Sequence, residues 1–209
     1  MLTFGIGMSS WVVRTPAVRD LLAASTAEMG LVLVGLSVGS MTGVLSSAAV
    51  VRRQGVRFTA AVGGSSFIAG IAMIGIFSGM SNFPGVFAGL ALVGFGIGVS
   101  EIAINIEGAA LETLSGKSVM PALHGCFSLG TVIGAVVGIL LTSINFSVTW
   151  QLVLVALFGA GVLATLTRFI SAETGRVPAW HAARKPKINN SPVHPGSTPG
   201  ANHASSCSG

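Results

Sequence analysis

Polar side chains that could bind a solute or move a proton lie in an otherwise apolar segment around residue 101. Glu101 and Asn105 are four residues apart, so in a helix they share one face. A carboxylate inside a membrane is costly and marks a functional site by default. Desolvation favours its protonated form, which would let it exchange a proton near neutral pH. We expect Glu101 and Asn105 to carry a proton or contact a polar solute; the alternative is that Glu101 reaches the cytoplasmic interface.

Two further carboxylates and one histidine follow this pair. If the helix ends near Ile104, Glu107 and Glu112 are ordinary interfacial charges, the interpretation that we favour. Glu112 lies three turns from Glu101 and roughly on its side, and it remains a candidate substrate or gate residue. His124 lies one turn into the next apolar segment. It could relay a proton or hydrogen-bond a substrate, or it could bond to a neighbouring helix near the interface.

Trp11 and Arg14 close the first apolar segment, which continues as Thr15 and Pro16. Tryptophan at a membrane boundary usually anchors a helix in the interface, and the alternative is that Trp11 stacks on a sugar. Arg14, with Pro16 after it, either stops the helix or forms a gate on the outer side. Both Trp11 and Arg14 are therefore candidate substrate or gate residues.

The composition is that of an integral membrane protein. Hydrophobic residues make up 51% of the 209 and charged residues 8%, with a mean hydropathy of +0.82, whereas soluble domains carry about 25% charged residues. The net charge of +5 does not indicate a nucleic-acid partner, because the charges are sparse and the segment 171–209 supplies much of it. No Ser-His-Asp array, H-E-x-x-H or CxxC motif is present, so the sequence predicts no enzyme, no cofactor and no metal site.

Six apolar runs predict six transmembrane helices in one bundle over residues 1–170, since each run must satisfy its own backbone hydrogen bonds in lipid. The runs cover 1–13, 29–51, 58–79, 83 or 84 to at least 104, 119–142 and 148–169. The first run is about 20 Å long against a hydrocarbon core of about 30 Å, which predicts a truncated helix. Residues 171–209, rich in Pro, Ser and Gly, are expected to form a disordered basic cytoplasmic tail.

Two motifs recur at one offset. The sequence at 4–9 returns at 95–100, and that at 37–43 returns at 128–134, each 91 residues later. A three-helix unit reverses orientation at each repeat, so the two units are inverted, as in transporter halves. Nine of the eleven basic residues lie in segments 52–57 and 112–118 and from 168 onward. The positive-inside rule then predicts that both termini are cytoplasmic. We expect a multi-pass protein of the bacterial inner membrane.

These features resemble the N-terminal half of a major facilitator superfamily transporter, in the branch related to fucose:proton symporters. The likeness covers about residues 2–170 and is carried by the segments 11–16, 101–112 and 124–130. In that branch an acidic residue of the fourth helix is linked to proton coupling and sugar binding, and Glu101 matches it best. In the family's cytoplasmic loop motif Arg53 and Gly55 fit and Arg57 follows, but Arg52 replaces the acidic residue.

The resemblance implies secondary active transport by alternating access. The cargo would be a small polar solute such as a sugar, coupled to protonation of Glu101. Because the family has about twelve helices with the site between two halves, we expect a fragment that a C-terminal half or a second copy completes. The alternatives are a half-transporter that acts as a dimer and a non-transporting six-helix assembly or regulatory protein. The expected partners are lipid, solute and proton.

Overall fold

The computed structural model describes residues 1–166, and six helices account for most of them. The helices are α1 (Leu2–Leu21), α2 (Thr26–Gln54), α3 (Val56–Gly79), α4 (Phe83–Ser115), α5 (Met120–Ser143) and α6 (Val148–Leu166). This confirms the predicted all-α fold with six helices. Five of them, α2 to α6, are long and apolar enough to cross a membrane. The predicted tail over 171–209 lies outside the described residues.

The ends of two helices decide between alternatives that the sequence leaves open or gets wrong. The predicted stop at Arg14 is wrong, because α1 runs through Arg14 and Pro16 to Leu21. Its 20 residues span about 30 Å, the thickness of the hydrocarbon core. The arginine does not break the helix because its side chain is buried against a neighbouring helix. At the other boundary, α4 does not end near Ile104 but continues to Ser115, so Glu107 and Glu112 are both helical.

A single residue, Gly55, joins α2 to α3. Its φ of 84° and ψ of 168° fall in a region that essentially only glycine occupies. Its carbonyl accepts a hydrogen bond from the Thr59 hydroxyl at 2.8 Å, which fixes the start of α3. Arg53 lies in the last turn of α2 and Arg57 in the first turn of α3, and both are exposed. The predicted basic loop is therefore a one-residue junction between helical arginines.

Substituting Gly55 is expected to destabilise the protein. A Gly55→Ala variant must hold an alanine in a glycine-only conformation, at a cost of about 1–3 kcal/mol. Thermal unfolding in detergent would measure this as a lower Tm. The control is Gly161→Ala, because a Cβ at Gly161 would meet nothing within 4 Å. An unchanged Tm for Gly55→Ala would contradict the assigned junction.

Glycines let the helices pack in two matching pairs. A Cβ added at Gly39 of α2 would overlap the carbonyl of Ala91 on α4, and one at Gly130 of α5 would overlap the carbonyl of Leu2 on α1. Helix α3 packs on both α4 and α6, and α6 also packs on α1. Thus α5 lies on α1 as α2 lies on α4, which is the pairing that two inverted three-helix repeats require.

The packing register differs slightly from the sequence repeat. Gly5 of α1 lies against the carbonyl of Phe127, and Gly94 of α4 lies against that of Leu36. Phe127 and Leu36 are 91 residues apart, whereas Gly5 and Gly94 are 89 apart. The motif match on α1 and α4 is therefore two residues out of step with the contacts. The register of each helix pair is set by the close approach of the two backbones, which requires glycines where the helices come nearest to one another.

Candidate functional site

Glu101 and His124 line one cavity of about 130 Å³ between α1, α4 and α5. Phe4 comes from α1, Ser100 and Glu101 from α4, and His124 and Phe127 from α5. Helix α5 packs on α1 and also contacts α4. The structure thus brings together two of the residues that the sequence singled out, from segments 23 residues apart.

The cavity lies inside the apolar part of the bundle, nearer the end at which α1, α3 and α5 begin. Ser100 packs directly on Gly63, where an added Cβ would lie 2.9 Å from the Ser100 nitrogen. Gly63 is seven residues into α3, which places Ser100 and Glu101 about 10 Å from the end of that helix. The Glu101 side chain is exposed on the surface of the bundle.

A second cavity of about 180 Å³ adjoins the first and is almost wholly apolar. Both cavities are lined by Phe4, Ser100 and Ile104, which makes them neighbours. Ser100 is 2% exposed, and its hydroxyl has no hydrogen-bond partner among residues 1–166. A buried hydroxyl without a partner costs about 1–3 kcal/mol, so Ser100 is a group that a ligand or water can satisfy. Sequence reasoning missed it because serines are common throughout these helices.

Asn105 and Glu107 do not line these cavities. Asn105 follows Glu101 by one turn and is half-buried, and its Oδ1 accepts no hydrogen bond from the described residues. Glu107 is also half-buried, and it lies one turn after Ala103, which packs between the end of α2 and the start of α3. Glu101 and Asn105 therefore lie one turn apart on α4, as predicted, but Asn105 does not line the cavity. The residue that lines the cavity together with Glu101 is His124.

The Glu112 carboxylate holds the start of α5. Its Oε1 accepts hydrogen bonds from the backbone N–H of Val119 at 2.7 Å and of Met120 at 2.9 Å. The first N–H groups of a helix have no partner within it, and a carboxylate there also interacts favourably with the helix dipole. This geometry gives Glu112 a structural role in the connection between α4 and α5, and its role as a substrate or gate residue stays a prediction.

Trp11 and Arg14 lie inside the bundle, away from the Glu101 cavity. Trp11 is 1% exposed and belongs to the central core, so its interpretation as an interface anchor is wrong. Arg14 is 3% exposed, and its Nε donates to Oε1 of Gln151 on α6 at 2.6 Å. Sequence reasoning missed Gln151, although a glutamine in the apolar run of α6 was a readable signal. The pair ties α1 to α6.

Breaking this pair is expected to destabilise the bundle. A Gln151→Leu variant fills the same space but leaves the buried Arg14 Nε without an acceptor, at a cost of about 1–3 kcal/mol. Thermal unfolding in detergent, without a chemical denaturant, would record the lost stability as a lower Tm. A Gln151→Glu variant restores an acceptor and is expected to unfold above Gln151→Leu. Equal stability of the two variants would contradict the assigned contact.

Comparison with curated proteins finds two relatives that are named as transporters and one that is named as a membrane protein. The chain is 28% identical over 133 residues to an uncharacterized MFS-type transporter of Yersinia pestis, covering 63% of this chain and 33% of the relative. It is 26% identical over 159 residues to an uncharacterized transporter of Sinorhizobium fredii, covering 76% and 41%. It is 25% identical over 135 residues to the membrane protein MosC of Rhizobium meliloti, covering 62% and 31%.

The chain spans between about a third and two fifths of the length of these relatives. No family model and no solved structure matches it. One of these relatives is named as an MFS-type transporter, and none of the three names distinguishes the branch related to fucose:proton symporters. Taken with the five helices that are long and apolar enough to cross a membrane, they identify the chain as a multi-pass membrane protein similar to part of an MFS-type transporter.

Proposed function

We propose that this chain forms one six-helix half of a secondary transporter that works by alternating access. A small polar solute, for which the resemblance to fucose:proton symporters implies a sugar, moves together with a proton carried by Glu101. The observation that carries the proposal is the cavity in which Glu101 and His124 lie together among apolar helices. Two titratable groups at one membrane site are the usual elements of a proton relay.

The proposal includes a second six-helix bundle that faces the cavity. The relatives named as transporters are between two and three times as long as the part that this chain matches, which supports a missing C-terminal half. A second copy of this chain is the alternative. We place the bundle in the bacterial inner membrane with both termini cytoplasmic. The support is the cluster of Arg52, Arg53 and Arg57 at one end of the bundle.

Uptake into liposomes that contain this chain with its second bundle tests the proposal. An inward proton gradient is expected to drive accumulation of the solute, and a protonophore is expected to abolish it. Candidate solutes, including monosaccharides, are screened by the internal pH change that each one causes. Uptake that is equal with and without the gradient would contradict proton coupling. A bundle that moves no solute at all would favour the non-transporting assembly or regulatory role.

A further inference from the structure

The smaller of the two cavities has a carboxylate, that of Glu101, in its lining. Of the described residues that line the two cavities, Glu101 is the one carboxylate, and none is a lysine or arginine. His124 is the other titratable side chain in the smaller cavity. Met1 lines both cavities as well, and burial lowers the pKa of its amino group, which favours the neutral amine. The Glu101 carboxylate would therefore attract a cation more strongly than an anion. Phe4 and Phe127 add aromatic surface, which also favours a cation.

The larger cavity offers an apolar space of a useful size. Its volume of about 180 Å³ exceeds the cavity of about 150 Å³ that binds benzene in an engineered protein core. Its lining includes Ala60, Phe67 and Leu163, and its polar side chains are those of Thr3 and Ser100. Because the two cavities adjoin at Phe4 and Ser100, one ligand can place a polar end beside Glu101 and an apolar end in the larger space.

We propose that the adjoining cavities bind a small organic cation with an apolar body, such as an arylalkylamine. Its ammonium group lies against the Glu101 carboxylate and its apolar body occupies the 180 Å³ cavity. The proposal rests on the proposed transport function in that this cation is the solute. A sugar fits the lining less well, since a polyol needs many hydrogen-bond partners, and neither Asn105 nor Trp11 lies in either cavity.

Equilibrium dialysis with the full 209-residue chain in nanodiscs tests the charge requirement. The labelled probe is 2-phenylethylamine, and the competitors are 2-phenylethanol, 3-phenylpropionate and glucose. We expect the labelled amine to bind. We expect each competitor to need a concentration at least about tenfold higher than unlabelled amine to displace half of the label. A Glu101→Gln variant is expected to weaken amine binding at least about tenfold, which corresponds to about 1.4 kcal/mol. Asp20→Asn, which removes an exposed carboxylate on α1, is the matched control.

A second variant tests the apolar end. Ala60→Leu places a larger side chain in the 180 Å³ cavity and is expected to weaken 2-phenylethylamine binding about tenfold while leaving methylamine binding unchanged. Ala69→Leu, an exposed position on the same helix, is the control. The Tm of each variant shows that the bundle is folded. Unchanged binding of 2-phenylethylamine to folded Ala60→Leu would overturn the placement of its ring.

Three outcomes would overturn the inference: equal binding of 2-phenylethanol and the amine, unchanged binding by Glu101→Gln, or efficient displacement by glucose. These outcomes are separate from a failure of the transport proposal, because dialysis measures binding and not uptake. A chain that binds the amine but carries no solute contradicts the transport function alone. Proton-driven uptake of a sugar without amine binding contradicts this inference alone.

Discussion

A Glu101→Gln variant is expected to lose proton-driven accumulation by a factor on the order of 100, the size of effect that removal of a proton-transfer group typically has. Glutamine keeps the shape of the protonated side chain but cannot release a proton. The variant should therefore still exchange internal for external solute at concentrations high enough to offset its weaker solute binding, since exchange needs no net proton movement. Parallel assays of accumulation and of exchange in liposomes would measure the two rates.

Two variants control this experiment. Glu101→Asp keeps a titratable carboxyl but shortens its reach by one methylene, so it is expected to retain part of the coupled transport. Asp20→Asn removes a carboxylate that pairs with Arg19 on the surface and is expected to behave as wild type. If Glu101→Gln accumulates solute as the wild-type protein does, Glu101 does not carry the proton.

A Gly39→Leu variant is expected to prevent α2 from packing on α4. A Cβ at this position would overlap the Ala91 carbonyl, a backbone atom that can move away only if the helices separate. Overpacking costs about 1–3 kcal/mol where side chains can adjust, and a backbone clash in a glycine contact lies at or beyond that range. Size-exclusion profiles and Tm in detergent would show loss of the monodisperse bundle.

The control lies on the same helix. A Cβ at Gly30 would meet nothing within 4 Å, so Gly30→Leu is expected to fold normally. The repeat pairing adds a further test, because Gly130→Leu should fail in the same way on the α1–α5 pair, where the Leu2 carbonyl lies in the path. Normal folding of both Gly39→Leu and Gly130→Leu would contradict the close contacts.

The helices were predictable from the sequence because lipid imposes long apolar runs. The observed starts of α5 and α6 lie within one residue of their prediction. The failure at Arg14 has a physical cause: whether a charge ends a membrane helix depends on its neighbours in three dimensions. Gln151 accepts the Arg14 hydrogen bond from 137 positions away, and no local pattern in α1 announces it.

The candidate site was predictable only in part. Glu101 was identifiable as a carboxylate in an apolar run, and His124 as a titratable residue one turn into α5. Helical spacing predicted Asn105 as the partner of Glu101, because spacing can identify neighbours only on the same helix. It gives no information about residues that face each other from different helices. The cavity is formed where α1, α4 and α5 meet, so its polar partner to Glu101 comes from α5. The unpartnered Ser100 hydroxyl depends on the contact with Gly63 and is likewise a property of the packed bundle.

Water access to the Glu101 cavity is the central claim, because a proton and a polar solute can reach the site only through water. His124→Cys, in a chain without its native Cys126 and Cys207, tests it through labelling by a charged methanethiosulfonate reagent in liposomes. The control is Leu154→Cys on α6, which is exposed on the bundle surface and outside these cavities. We predict rapid labelling at position 124, slowed by the transported solute, and none at 154. Equal labelling at both positions, or none at 124, would contradict the account.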